Sequence, residues 1–232
     1  DGDTLTYSIT GGTGSTAFAI NGASGVVTVA AQAQLDYETT TTFGVTVQVA
    51  DSGTGTLTDS AAFTINLTDV NEAPVIAAQT FTIDENSVDT TPVDTVVATD
   101  VDDGDTLSYS ITGGTGSTAF SINTSTAVIT VAAVAQLDYE TTTTFGLTVQ
   151  VADDGTGTLT DSATITVNLT NINDAPIIAA QTFTIDENSV DTTPVDTVVA
   201  TDADTADTLT YSITGGTGSG AFSINSSTAV IT

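Results

Sequence analysis

The sequence predicts an all-β chain of β-sandwich domains joined end to end. Three observations predict it. The chain repeats itself every 102 residues, apolar residues alternate with period two, and no stretch of useful length carries a helical period. Tyr7-Ser8-Ile9-Thr10-Gly11-Gly12 returns at Tyr109 and again at Tyr211. Leu35-Asp36-Tyr37-Glu38 returns at Leu137, and Phe81-Thr82-Ile83-Asp84-Glu85-Asn86 at Phe183, with no insertion or deletion. Solenoid repeats run roughly 20–50 residues. A period of 102 is the size of a small domain with its own core.

Each element follows from its pattern. Strands are expected near 80–84, 93–99, 106–112, 119–123, 127–131, 144–152 and 159–169. Leu107, Tyr109 and Ile111 alternate with Ser108 and Ser110. Phe145, Leu147, Val149 and Val151 alternate with Gly146, Thr148 and Gln150. Ala163, Ile165, Val167 and Leu169 alternate with Thr164, Thr166 and Asn168. Gly113-Gly114-Thr115-Gly116 and Asp154-Gly155-Thr156-Gly157 separate strands as turns, and no helix follows them, so they are not phosphate loops. Seven short strands in about 100 residues read as an immunoglobulin-like Greek-key sandwich, here without the Cys…Trp…Cys signature of antibody domains. Tyr109, Phe120 and Phe145 fall at inward positions and are expected in the core. Pro74 and Pro176 share one phase and mark two short junctions. The expected organisation is the back of one repeat over 1–74, a whole repeat over 75–176 and the front of another over 177–232, as in a segment of a longer chain.

Composition narrows the chemistry. The chain has 29 acidic residues and no Lys, Arg, His or Cys. Like charges at this density repel in a compact state unless cations screen or bind them. The chain has no phosphate clamp, and nucleic acid is repelled. Ser/His and Cys/His nucleophile pairs are excluded, as are the usual zinc, copper, haem and iron–sulfur ligands. Lys–Asn cross-links and tryptic sites are absent too, which suits exposure outside a cell. No run of 18 apolar residues is present, so no membrane insertion is expected.

The acids are phased to the junctions. Calcium takes six to eight oxygen ligands from carboxylates, carbonyls and amides. Asp84-Glu85-Asn86, Asp100-Val101-Asp102, Leu137-Asp138-Tyr139-Glu140, Ala152-Asp153 and Asn171-Ile172-Asn173-Asp174-Ala175-Pro176 occur in that order. This set resembles the cadherin repeat along the whole chain, and the Thr-rich, Lys-free wording resembles the bacterial cadherin-like repeats of large tandem-repeat surface adhesins and filaments.

The resemblance implies about three Ca2+ ions per junction. At the first junction it implies Asp36, Glu38, Asn71, Glu72, Asp100, Asp102 and Asp153 as ligands. At the second it implies Glu85, Asp138, Glu140, Asn173, Asp174, Asp202 and Asp204. Departures from the family pattern are Glu72 for Asp174, Asn171 for Asp69, Ala73 and Ala175 at a linker Asn position, Tyr37 and Tyr139 at an Arg position, and Asp207 at a loop Asn position. The chain has no Trp for strand-exchange adhesion. Asp89, Asp94, Asp103, Asp105, Asp154 and Asp161 lie outside the motifs and read as solvated surface acids.

A structural or adhesive extracellular module is expected, not an enzyme. The pair Asp138 and Glu140 lacks the aromatic cleft of a glycosidase. Four Asn-x-Ser/Thr matches, at Asn66, Asn123, Asn168 and Asn225, are accidental in so Thr-rich a chain. Three functions are compatible: a calcium-rigidified rod in an adhesin or surface filament, a homophilic cell–cell adhesion module, or a passive spacer for a distal enzyme or ligand-binding domain. The expected partners are calcium, neighbouring repeats of the same chain, and like chains in a filament or adhesive contact.

Overall fold

The structure, a computed structural model, describes residues 2–232. The first segment holds β1 (Leu5–Gly11), β2 (Phe18–Ile20), β3 (Val27–Val29), β4 (Thr42–Asp51) and β5 (Thr58–Asn66). The middle segment holds β6 (Val75–Ile76), β7 (Gln79–Asp84), β8 (Pro92–Thr95), β9 (Ala98–Thr99), β10 (Ser108–Gly113), β11 (Phe120–Ile122), β12 (Val128–Val131), β13 (Thr144–Ala152) and β14 (Thr160–Thr170). The last has β15 (Asp196–Thr197) and β16 (Val230–Ile231). Among the described residues the helical features are two short 3-10 turns, one before each Leu-Asp-Tyr-Glu motif, at Gln32–Gln34 and Val134–Gln136.

In the middle segment a four-stranded sheet, β10-β13-β14-β7, faces a three-stranded sheet, β11-β12-β8. β14 runs parallel to β7, with Ile165 opposite Gln79, and the other strands pair antiparallel. Inward residues of β13 and β14 alternate strictly with outward ones, so Leu147, Val149, Val151, Ile165 and Val167 are buried between the sheets. Phe120 and Phe145 meet edge-to-face at 5.5 Å in the same core. Gly114 is required where the β10–β11 turn crosses β13. Its φ is 102°, and a Cβ there would collide with the Gly146 carbonyl.

The expected strand over 93–99 is broken into β8 and β9. The break has a local cause. The Gln79 side chain accepts from Val97 N (3.0 Å) and donates to Val97 O (2.9 Å), taking the place of a neighbouring strand. Val96 turns inward and is buried at that point. The short β6, paired with β9, was not expected.

The first segment repeats β10 through β14 as β1 through β5. Its inward face is less buried. Phe63 is 54 % exposed, whereas the equivalent Ile165 is 0 % exposed.

Candidate metal centre

Both junctions gather carboxylates from sequence-distant loops. At the second, Glu85 follows β7 and is buried, 3 % exposed. Its Oε1 accepts from Ile172 N (2.9 Å) and its Oε2 from Tyr139 N (2.8 Å). These two bonds tie the end of β7 to the motif before β13 and to the linker after β14. Carboxylate oxygens of Glu85, Glu140 and Asp174 lie within 4.8 Å of one another. Asp204, from the loop beyond the linker, accepts from Asp174 N, so the linker is held on both sides.

At the first junction two groups form. Oxygens of Glu38, Asp69, Glu72 and Asp102 lie within 4.8 Å of one another, and so do those of Asp100, Asp105 and Asp153. Asp102 Oδ2 accepts from Glu72 N at 2.8 Å, the counterpart of the Asp204 contact. Asp153 is 2 % exposed and accepts from Gly155 N (3.1 Å), Leu159 N (3.0 Å) and Asn71 Nδ2 (3.3 Å). Asp100 Oδ2 and Asp105 Oδ2 are buried without a hydrogen-bond partner. A buried carboxylate oxygen with no donor is costly. Two of them, in a group with a third carboxylate, form a hard, all-oxygen set that fits calcium.

Desolvation, and then crowding, shows in protonation. Glu72 is raised above the usual carboxylate range by desolvation and then by the charges of Glu38, Asp102 and Asp69. Asp105 is raised by desolvation and by Asp154, Asp102, Asp153 and Asp100. Glu140 is raised by desolvation and by Glu85, Asp204 and Asp174, against a lowering backbone bond.

The structure does not bring every expected residue into these groups. Asp36 and Asp138 have their carboxylates turned onto Thr39 and Thr141, accepting from both N–H and hydroxyl at 2.9–3.0 Å. They brace the turns that present Glu38 and Glu140. Asp202 Oδ1 accepts from Asp204 N (3.1 Å), and Asn173 Nδ2 donates to Asp174 O (3.1 Å).

The solvated reading fails for two acids, Asp105 and Asp161. Asp105 belongs to a carboxylate group, and Asp161 Oδ2 accepts from Ile76 N (3.1 Å), which with Ser162 N lowers it below the usual range. Asp154 and Asp89 are exposed as expected, while each accepts one backbone hydrogen bond, from Thr106 N (2.7 Å) and Val134 N (2.8 Å) respectively. Asp69 and Asp105 were the group members missing from the expected ligands. The available signal for Asp105 was its recurrence as Asp3 and Asp207 at the repeat period.

A cadherin-domain family model matches residues 1–68 and 79–170. The chain belongs to the cadherin family. Human Protocadherin Fat 1 is 31% identical over 98% of this chain and 5% of its own length. Mouse Protocadherin Fat 4 is 36% identical over 97% of this chain and 5% of its own length. The cadherin segment therefore spans about one-twentieth of these curated relatives. Among solved structures, mouse Cadherin-23 EC22-24 superposes with a TM-score of 0.73 at 25% identity, covering 98% of this chain and 74% of that one. Protocadherin gammaB7 EC3-6, described as a cis-dimer, superposes with a TM-score of 0.66 at 27% identity, covering 98% of this chain and 58% of that one. The tandem sandwich architecture expected from period and strand count is thus the cadherin arrangement. No helix among the described residues is long and apolar enough to cross a membrane.

Proposed function

We propose that this cadherin segment is a calcium-rigidified rod in an extracellular surface protein. The observation that carries the reading is the first junction, where acids from both sides of Pro74 meet and two buried carboxylate oxygens have no donor in a chain without a single basic residue. On this reading residues 75–176 are one whole repeat, flanked by parts of repeats over 1–74 and 177–232. The count of about three ions per junction is what the cadherin resemblance implies.

Bound calcium supplies the positive charge that the chain lacks. The protein's part is to fix donors. Glu85 is locked by two backbone N–H groups, Asp153 by Gly155 and Leu159, and Asp102 and Asp204 by the linker backbone. Asp36 and Asp138 act by holding the turns of Glu38 and Glu140. Without a cation the carboxylates repel across the linker, and the angle between repeats is free. With one, both sides share a charge and the angle is set.

Repeats this alike suit a rod or filament better than a unique binding surface. The Lys- and Arg-free composition favours a bacterial adhesin, although the relatives compared are mammalian. Homophilic adhesion and a passive spacer are the competing readings. Calorimetric titration of the metal-free chain with calcium tests the proposal. Saturable binding of several ions is expected, and no binding at millimolar calcium overturns it. Calcium-dependent clustering of chain-coated beads would move the assignment to homophilic adhesion.

A further inference from the structure

The two junctions use equivalent positions with different side chains. Position 69 is Asp and its equivalent, 171, is Asn. At the first junction the Asp69 carboxylate stands in one group with Glu38, Glu72 and Asp102, within 4.8 Å. At the second, Asn171 Nδ2 donates to Glu140 Oε1 (3.2 Å), and Glu140 is the equivalent of Glu38. A single position therefore changes from a repelling carboxylate into a neutral donor. At the second junction Glu140 and Asp174, the equivalents of Glu38 and Glu72, are grouped with Glu85, whose repeat-equivalent position falls before Asp1.

We propose that the Asp69/Asn171 difference makes the junctions unequal, the first being the tighter calcium site and also the looser junction without metal. The proposal rests on the calcium reading above. Calcium affinity rises with the number of charged ligands. Like charges without a donor between them push the linker open when no cation is bound. Asn171 works in the opposite sense on both counts. It occupies one Glu140 oxygen with a hydrogen bond and adds no charge of its own. The first junction therefore fills before the second as calcium rises, and the rod stiffens in two stages.

The whole 232-residue chain can report each junction separately. Terbium, a luminescent stand-in for calcium, is sensitised by nearby tyrosine, and the chain has no Trp to interfere. Tyr37 lies between Asp36 and Glu38, and Tyr139 between Asp138 and Glu140. Tyr139→Phe leaves the first junction's signal, Tyr37→Phe leaves the second's, and the double variant gives the background from the remaining tyrosines. Calcium displacement of terbium is then followed in each.

The expected result is a lower calcium midpoint at the first junction. Asp69→Asn should raise that midpoint by about tenfold, the scale on which ligand charge tunes such sites. Asn171→Asp should lower the midpoint at the second. In EDTA the signs reverse for stability, so Asp69→Asn melts higher than the parent and Asn171→Asp lower. A purely structural role for either side chain would lower melting in both conditions. Equal midpoints in the parent, or an Asp69→Asn midpoint unchanged from it, overturn the proposal. If calcium displaces no terbium at either junction, the calcium reading itself fails, and the inequality with it.

Discussion

The sandwich interior and the linker rim of this chain are stabilised in opposite ways. Around Leu147, Ile165 and Val167 the core is closed by apolar side chains alone, buried between two sheets. At Pro74 the chain brings Glu38, Asp69, Glu72 and Asp102 together with no basic residue anywhere to neutralise them. The first region is self-sufficient. The second is assembled by the fold and keeps its charge unneutralised. If calcium fills it as proposed, folding of the repeat and stiffening of the rod are separable properties of one sequence.

Breaking the core should have the largest effect and ignore metal. Leu147→Ala, at a fully buried position, should cost about 2–5 kcal/mol. Denaturant melts should show the same loss in calcium and in EDTA. A loss that vanishes in one of them would mean that core and rim are coupled.

Gly155→Ala probes the rim. A Cβ there would collide with Asn71 Oδ1 and Asp105 Oδ2. The expected outcome is a weakened calcium response with a small change in the metal-free melt. Calorimetry on the variant checks it, and a wild-type calcium titration would remove the Asp100, Asp105 and Asp153 group from the account.

Much of this contrast was legible in the sequence. Phe145 through Val151 announced a strand by period alone, because one face of β13 is buried and the other is not. Glu72 was legible because it abuts Pro74, and Glu38 and Asp102 because their motifs match the cadherin pattern. Asp105 was not. It sits in an Asp-Gly-Asp loop, where an acid is unremarkable until the fold sets it against Asp100 and Asp153. Asp36 and Asp138 carried the right motif, but the local Thr hydroxyl and N–H capture their carboxylates, and spacing does not show that capture. The split between β8 and β9 was also hidden, since nothing in the pattern reveals that Gln79 substitutes for a strand.

pH gives a smaller test of the rim. Glu72, Asp105 and Glu140 are raised in the folded chain. A raised carboxyl contributes stability that is fully present below its unfolded value and lost as pH rises through its folded value. The metal-free chain should therefore melt higher at about pH 5 than at about pH 7. Asp161 is lowered, so its contribution is present above its unfolded value and is lost only under more acid conditions, outside that window. Thermal melts in chelator at the two pH values decide it. A lower melt at the acid value would mean that repulsion at the junctions does not limit stability.

Small-angle scattering of the 232-residue chain, in calcium and again in excess EDTA, tests the central claim most directly. An extended, rigid profile is expected in calcium, a broader and more flexible one in EDTA, and full recovery when calcium is restored. Superimposable profiles in the two conditions would contradict it.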